Sequence, residues 1–184
     1  MRASARTRTT VLCLGLTAVL TLTPPGSGPA AEELISLDLA TRIFLKILLL
    51  DRELESKTSN RVVVGVIGSD AAHEAFSALR GQRIDKSREF VVADVVRYET
   101  LGPGSKAPTL LYVGPHAKPE EVTKFTRRHG VLSVTTVGDY VNRGITLGIA
   151  IEKGKPRVVL NLLNSDREGL HWNSKMLKIS RVVR

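Results

Sequence analysis

The sequence predicts a single α/β domain: a mixed, mostly parallel sheet flanked by helices and closed by a C-terminal β-hairpin plus helix. Three observations carry this. β-branched runs alternate with amphipathic stretches up to residue 135, the order of a parallel sheet built from strand–helix units. Beyond residue 144 two strand-like runs are separated only by Lys153-Gly154-Lys155-Pro156, a hairpin by its length and its glycine. The composition, 42% hydrophobic and 24% charged, is that of an ordinary globular chain.

Residues 1–30 read as a secretory signal peptide. Arg2, Arg6 and Arg8 form a positive start, an apolar stretch covers residues 11–22, and Thr23-Pro24-Pro25-Gly26 breaks any helix. Small residues at Gly28, Ala30 and Ala31 place cleavage after Ala30. As a helix the apolar stretch would reach about 18 Å, against a hydrocarbon core of about 30 Å. It is too short to span, and the mature chain is expected not to cross the membrane. Cys13, the only cysteine, lies in this stretch behind Leu12, where lipoprotein processing wants a small residue. The mature domain, residues 31–184, therefore has no disulfide to lean on. At that length it buries about 68–70% of its unfolded surface and can stand on its core.

The mature elements follow in order. Residues 34–50 form an amphipathic helix: Asp38, Arg42 and Lys46 recur every four residues on one face. Its apolar faces carry Leu37, Ala40, Phe44, Ile47 and Leu48, which pack on the sheet or offer a partner surface or dimer seam. Residues 51–60 are a polar connector. The run 61–67 is a strand covered on both faces. Gly68-Ser69-Asp70 then turns into a helix over 71–79 that Ser69 or Asp70 caps. Strands are expected at 89–97 and 109–113. A helix opens at Pro119, with Glu120 and Glu121 at its positive end and Arg127, Arg128 and His129 at its negative end; Gly130 stops it. Strands follow at 131–135, 145–152 and 157–163. A closing helix is read over 172–183, with Met176, Ile179 and Val183 inward.

Charge and chemistry narrow the function. With the three leader arginines removed, 24 basic residues face 18 acidic ones, about +6. The bases are spread along the chain and only 4% of residues are aromatic, so no nucleic-acid site is expected. His73, His116, His129 and His171 lack metal-ligand spacing, no nucleophile elbow is present, and no cofactor motif is complete. Gly68 and Ser69 end a strand and open a helix, where backbone N–H groups hold anions; Asp70 beside them opposes that charge. They are the candidate ligand-binding residues of a periplasmic small-ligand-binding protein. Asp70 and His73 are the best candidates for a hydrolase, which nothing else in the sequence supports. The expectation is a protein that is not an enzyme and carries no cofactor or metal.

From residue 131 the order of features resembles the YfiR-like family of periplasmic proteins. The likeness rests on Ser133-Val134-Thr135-Thr136-Val137-Gly138-Asp139, on Gly144-Ile145, and on Val158-Val159-Leu160-Asn161-Leu162-Leu163. It continues in Gly169-Leu170-His171-Trp172-Asn173-Ser174-Lys175-Met176-Leu177-Lys178-Ile179. Upstream, Ile43-Phe44-Leu45-Lys46-Ile47-Leu48 and Val64-Gly65-Val66-Ile67-Gly68 are similar to the family's first helix and first strand. The resemblance implies a periplasmic regulator that acts by touching a membrane sensor protein, such as a diguanylate cyclase or histidine kinase, and so affects cyclic-di-GMP and biofilm formation. It makes Gly144, Asn161, Gly169, Ser174 and Leu177 structural signature residues and Phe44, Ile47 and Leu48 the candidate partner-binding ones. A homodimer is a second use of the same helix. Two departures count: the mature chain lacks the family's disulfides, and Leu49-Leu50-Asp51 replaces the aromatics that often end the first helix.

Overall fold

The computed structural model of the chain describes residues 35–183, which belong to one compact unit. The leader expected at 1–30 lies outside the described residues. The elements run α1 (Leu37–Leu48), α2 (Leu54–Thr58), β1 (Arg61–Ile67), α3 (Asp70–Ser77), β2 (Val91–Tyr98), β3 (Leu110–Val113), α4 (Pro119–His129) and β4 (Leu132–Thr135). A 3₁₀ turn (Gly138–Val141) leads to β5 (Leu147–Glu152), β6 (Lys155–Asn161), α5 (Leu162–Arg167), α6 (Ser174–Ile179) and β7 (Ser180–Val183).

The seven strands form one sheet in the order β2-β1-β3-β4-β5-β6-β7. Neighbours from β2 to β5 are parallel, β5 and β6 are antiparallel, and β7 runs parallel to β6. The sheet is therefore mixed and mostly parallel, as the sequence predicts. Its central parallel strands, β1, β3 and β4, are covered on both faces. Val62, Val64, Val66, Leu110, Tyr112, Leu132 and Val134 pack with α1 and α3 on one side. Leu111 and Val113 pack with Val122 and Phe125 of α4 and with Tyr140 on the other. Two-sided burial is why these strands read as continuous apolar runs.

α1 starts where Ser36 Oγ accepts the Leu39 N–H at 3.4 Å. Arg42 and Lys46 face solvent while Phe44, Ile47 and Leu48 are buried. Phe44 meets Tyr112 edge-on with ring centroids 6.4 Å apart, and Phe76 of α3 meets the same ring at 5.9 Å. Each such side chain contributes about 1.5–3 kcal/mol through burial. α3 is capped by Ser69, whose Oγ accepts the Ala72 N–H at 3.2 Å. α4 opens on Pro119 and stops at Gly130, φ 65°.

The chain departs from the sequence reading at three places. The polar connector 51–60 contains α2, fixed from outside: Asp51 is buried and takes the Lys57 ammonium at 3.2 Å and the His171 N–H at 3.1 Å. The strand read to 163 ends at Asn161, because its side chain caps α5 by accepting the Asn164 N–H at 2.9 Å. The helix read over 172–183 stops at Ile179. Ser180 turns its hydroxyl back to the Met176 carbonyl at 2.8 Å, and residues 180–183 extend along β6. There the β-branched Val182 and Val183 gain a ladder partner that a further helical turn would not provide. Met176 is inward as expected, but Ile179 is 44% exposed.

Candidate functional site

The strand order reverses at β1 and β3: the chain leaves β1 toward β2 on one side and continues from β3 toward β4 on the other. In sheets of this kind ligands bind beyond the carboxyl ends of the strands at that point. Here the ends carry Gly68 and Ser69 after β1 and Gly114, Pro115 and His116 after β3. Gly68 has φ 72°, and a Cβ on it would lie 2.5 Å from the Ala117 nitrogen. A Cβ on Gly114 would lie 2.3 Å from the Gly68 carbonyl oxygen. Both glycines thus allow the two strand ends to touch, and the His116 N–H donates to the Gly68 carbonyl at 3.3 Å.

Beside this contact, toward β2, lies a cleft of about 430 Å³ lined by Gly68, Ser69, Asp70, Arg97, Tyr98 and His116 among others. Asp70 and Arg97 pair at 2.8 Å, and an Arg97 nitrogen lies 3.5 Å from His73 Nδ1. The Ser69 hydroxyl is committed to the helix cap. Tyr98 donates its hydroxyl proton to the Lys106 carbonyl, and burial raises its pKa. The predicted pair Gly68 and Ser69 thus does line a cleft, although the neighbouring cation is already neutralised by Asp70. Among the described residues no group of three or more His, Cys, Asp or Glu side chains is placed to hold a metal.

The candidate partner residues Phe44, Ile47 and Leu48 are 0%, 3% and 1% exposed. They hold α1 on the sheet and are out of reach of a partner while it stays docked.

The signature residues divide into two groups. Gly144 (φ 101°) and Gly169 (φ 66°) make left-handed turns before β5 and after α5. Asn161 caps α5 and also donates from Nδ2 to the Val141 carbonyl at 2.9 Å. Ser174 opens α6 behind the Asn173 cap. Leu177 differs: it is 50% exposed on α6, near Ile179 and Val182, which are 44% and 40% exposed.

One buried group lies outside the residues that the sequence singles out as a site. Glu168 is fully buried at the base of the sheet. Its carboxylate accepts the Ser133 hydroxyl at 2.7 Å, the Ser133 N–H at 3.2 Å, the Thr146 hydroxyl at 2.6 Å and the Asn164 amide at 3.0 Å. Burial pushes its pKa up, and hydrogen bonds from the surrounding hydroxyls and the Ser133 N–H pull against that shift. Arg127 Nε donates to Asn164 Oδ1 at 2.6 Å, which joins α4 to the same cluster. The one sequence signal was the four-residue spacing of Asn164 and Glu168; Ser133 is 35 residues away.

The fold and these loci define a doubly wound α/β domain with an added antiparallel hairpin and a half-exposed C-terminal edge. The sequence matches the family described as YfiR/HmsC-like over residues 51–181, from before β1 into β7, and the chain belongs to that family. Among solved structures it is similar to a conserved domain protein from Vibrio cholerae O1 biovar El Tor, with a TM-score of 0.51 at 10% identity. That likeness covers 80% of this chain and 60% of the Vibrio protein, so this chain spans less than two thirds of that one's length, and it bears on the fold alone. No curated protein matches the chain at a significant level.

Proposed function

We propose that the chain is a periplasmic, non-enzymatic regulatory module that acts by contact with a membrane sensor protein. A diguanylate cyclase is the favoured partner, which connects the module to cyclic-di-GMP and biofilm formation; a histidine kinase is the other. The family match over residues 51–181 carries this reading. It is supported by the leader-like sequence of residues 1–30 and by the apolar side chains left exposed on α6 and β7. Among the described residues no helix is long and apolar enough to cross a membrane. Crosslinking in intact cells, followed by identification of the adduct, tests it. An inner-membrane sensor protein in the adduct and a changed cyclic-di-GMP level on deletion are expected; recovery of the chain from the cytosol with residues 1–30 still attached would refute it.

A second reading, a small-ligand-binding protein, is favoured by the cleft of about 430 Å³ at the reversal of strand order. It predicts a thermal shift with a small ligand that Arg97→Ala abolishes. A flat screen across amino acids, nucleotides and sugars removes it.

A further inference from the structure

Among the described residues β7 has a strand neighbour on its β6 side only. Its outer edge therefore presents backbone N–H and C=O groups to which another chain can add. The side chains around that edge share one sign. Lys153, Lys155 and Arg157 at the β5–β6 hairpin and Lys175, Lys178 and Arg181 at α6 and β7 accompany a single acid, Glu152. Arg181 Nε and Arg157 Nε both converge on it, at 3.0 and 3.9 Å. From residue 31 onward, seven of the 24 basic residues and one of the 18 acidic ones fall within 152–157 and 174–184. The remainder balances at 17 against 17, so the net charge of the mature sequence is concentrated in these two segments.

The two faces of the edge differ. Register pairs Val182 with Leu160, which shares a cluster with buried Met176, and alternation puts Arg181 on the opposite face with Val159. Half-exposed Leu177 and Ile179 stand just before β7 on α6. A strand laid along this edge meets apolar surface on one face and guanidinium groups on the other.

We infer that the β7 edge with α6 is a docking site for an extended, acidic polypeptide segment of the partner, held by strand addition with acidic and apolar side chains in alternation. The inference rests on the protein-contact reading above and names its surface. The same charges reject a second copy of this chain, because like charges placed opposite each other across a strand pair are destabilising. They also steer an acidic partner toward the edge.

The test uses protein expressed from its complete sequence and purified from the envelope. The probes are a synthetic peptide of alternating glutamate and valine, a lysine–valine counterpart, and phosphatidylglycerol vesicles. Binding of the glutamate peptide alone is expected, with slowed amide exchange over residues 180–183 and weakening as salt rises from about 0.05 to about 0.5 M. The double variant Leu177→Asp, Lys178→Glu should bind about tenfold or more weakly. Its thermal melt should be unchanged, since both side chains are exposed. Equal binding of the two peptides, protection elsewhere, vesicle binding without peptide binding, or dimerisation through β7 each overturns the inference. If wild type and double variant crosslink the same sensor equally in cells, this surface is wrong and the proposed function stands. If neither crosslinks a sensor, the proposed function itself fails.

Discussion

Glu168 is where a single side chain has the most to hold. Truncation to alanine would leave the Ser133 N–H, two hydroxyls and an amide without their acceptor in a dry site, at about 1–3 kcal/mol for each group that finds no other partner. Glu168→Ala should therefore lower the unfolding free energy by about 3 kcal/mol or more. Glu168→Gln keeps one acceptor oxygen and should cost less. The pH dependence has a definite sign. Burial raises the carboxyl's pKa in the folded state, so folding takes up a proton. Its contribution is most favourable below the ordinary glutamate pKa and is lost as pH rises through the raised value. Glu120, held low by its own backbone N–H and by Arg143, works the other way but is common to wild type and variant. Urea titrations read by the fluorescence of Trp172, the only tryptophan, should show the wild-type advantage over Glu168→Gln shrinking from about pH 4 to about pH 8. An advantage that grows over that range contradicts the assignment. Phe44 gives the second test at this scale. Phe44→Ala removes a ring that is 0% exposed against Tyr112 and should cost about 3–5 kcal/mol. A loss below about 1 kcal/mol would mean that α1 is not docked as described.

Among the elements, the close approach of the β1 and β3 ends is the most demanding. Gly68→Ala places a Cβ 2.5 Å from the Ala117 nitrogen at φ 72°, so strain and backbone displacement add. A loss of about 1–3 kcal/mol is expected in chemical unfolding, and a neutral substitution would show that the contact gives way freely. Elements with strong periodic patterns were readable from sequence. α1 shows Asp38, Arg42 and Lys46 on one face, and α4 runs from Pro119 to Gly130 with its charges arranged along the dipole. What escaped depended on contacts distant in sequence. α2 is a five-residue polar helix held by Asp51, Lys57 and the carbonyl of Gly169, which the Lys57 ammonium reaches at 2.9 Å. β7 was hidden because Met176, Ile179 and Val183 fit a helical period, whereas the ladder with β6 decides the backbone. The Glu168 cluster gathers side chains from four segments, and only Asn164 and Glu168 lie close enough along the chain to hint at it.

On the scale of the whole molecule, the sheet divides into a parallel part with a covered centre and a mixed part, β5 to β7, that ends in an open edge. In the first, two helical layers bury β1, β3 and β4 on both faces, so the fold stands without disulfides. In the second, α6 buries Met176 in the same apolar cluster as Leu160 of β6, while Leu177, Ile179, Val182 and the basic side chains Lys175, Lys178 and Arg181 stay outward. The signature glycines Gly144 and Gly169 and the asparagine Asn161 shape turns around this half. The partner residues expected on α1 lie in the core, whereas the exposed large apolar side chains among the described residues are Leu39 on α1, Leu163 on α5, Leu177 and Ile179 on α6 and Val182 on β7. The most direct measurement is photo-crosslinking in living cells from a reactive residue introduced at Leu177, with the adduct identified by mass spectrometry. An inner-membrane sensor protein, linked through an acidic segment of its periplasmic domain, is the predicted product. An adduct with lipid alone, or no adduct from Leu177 while a site elsewhere on the domain captures the sensor, would contradict the account.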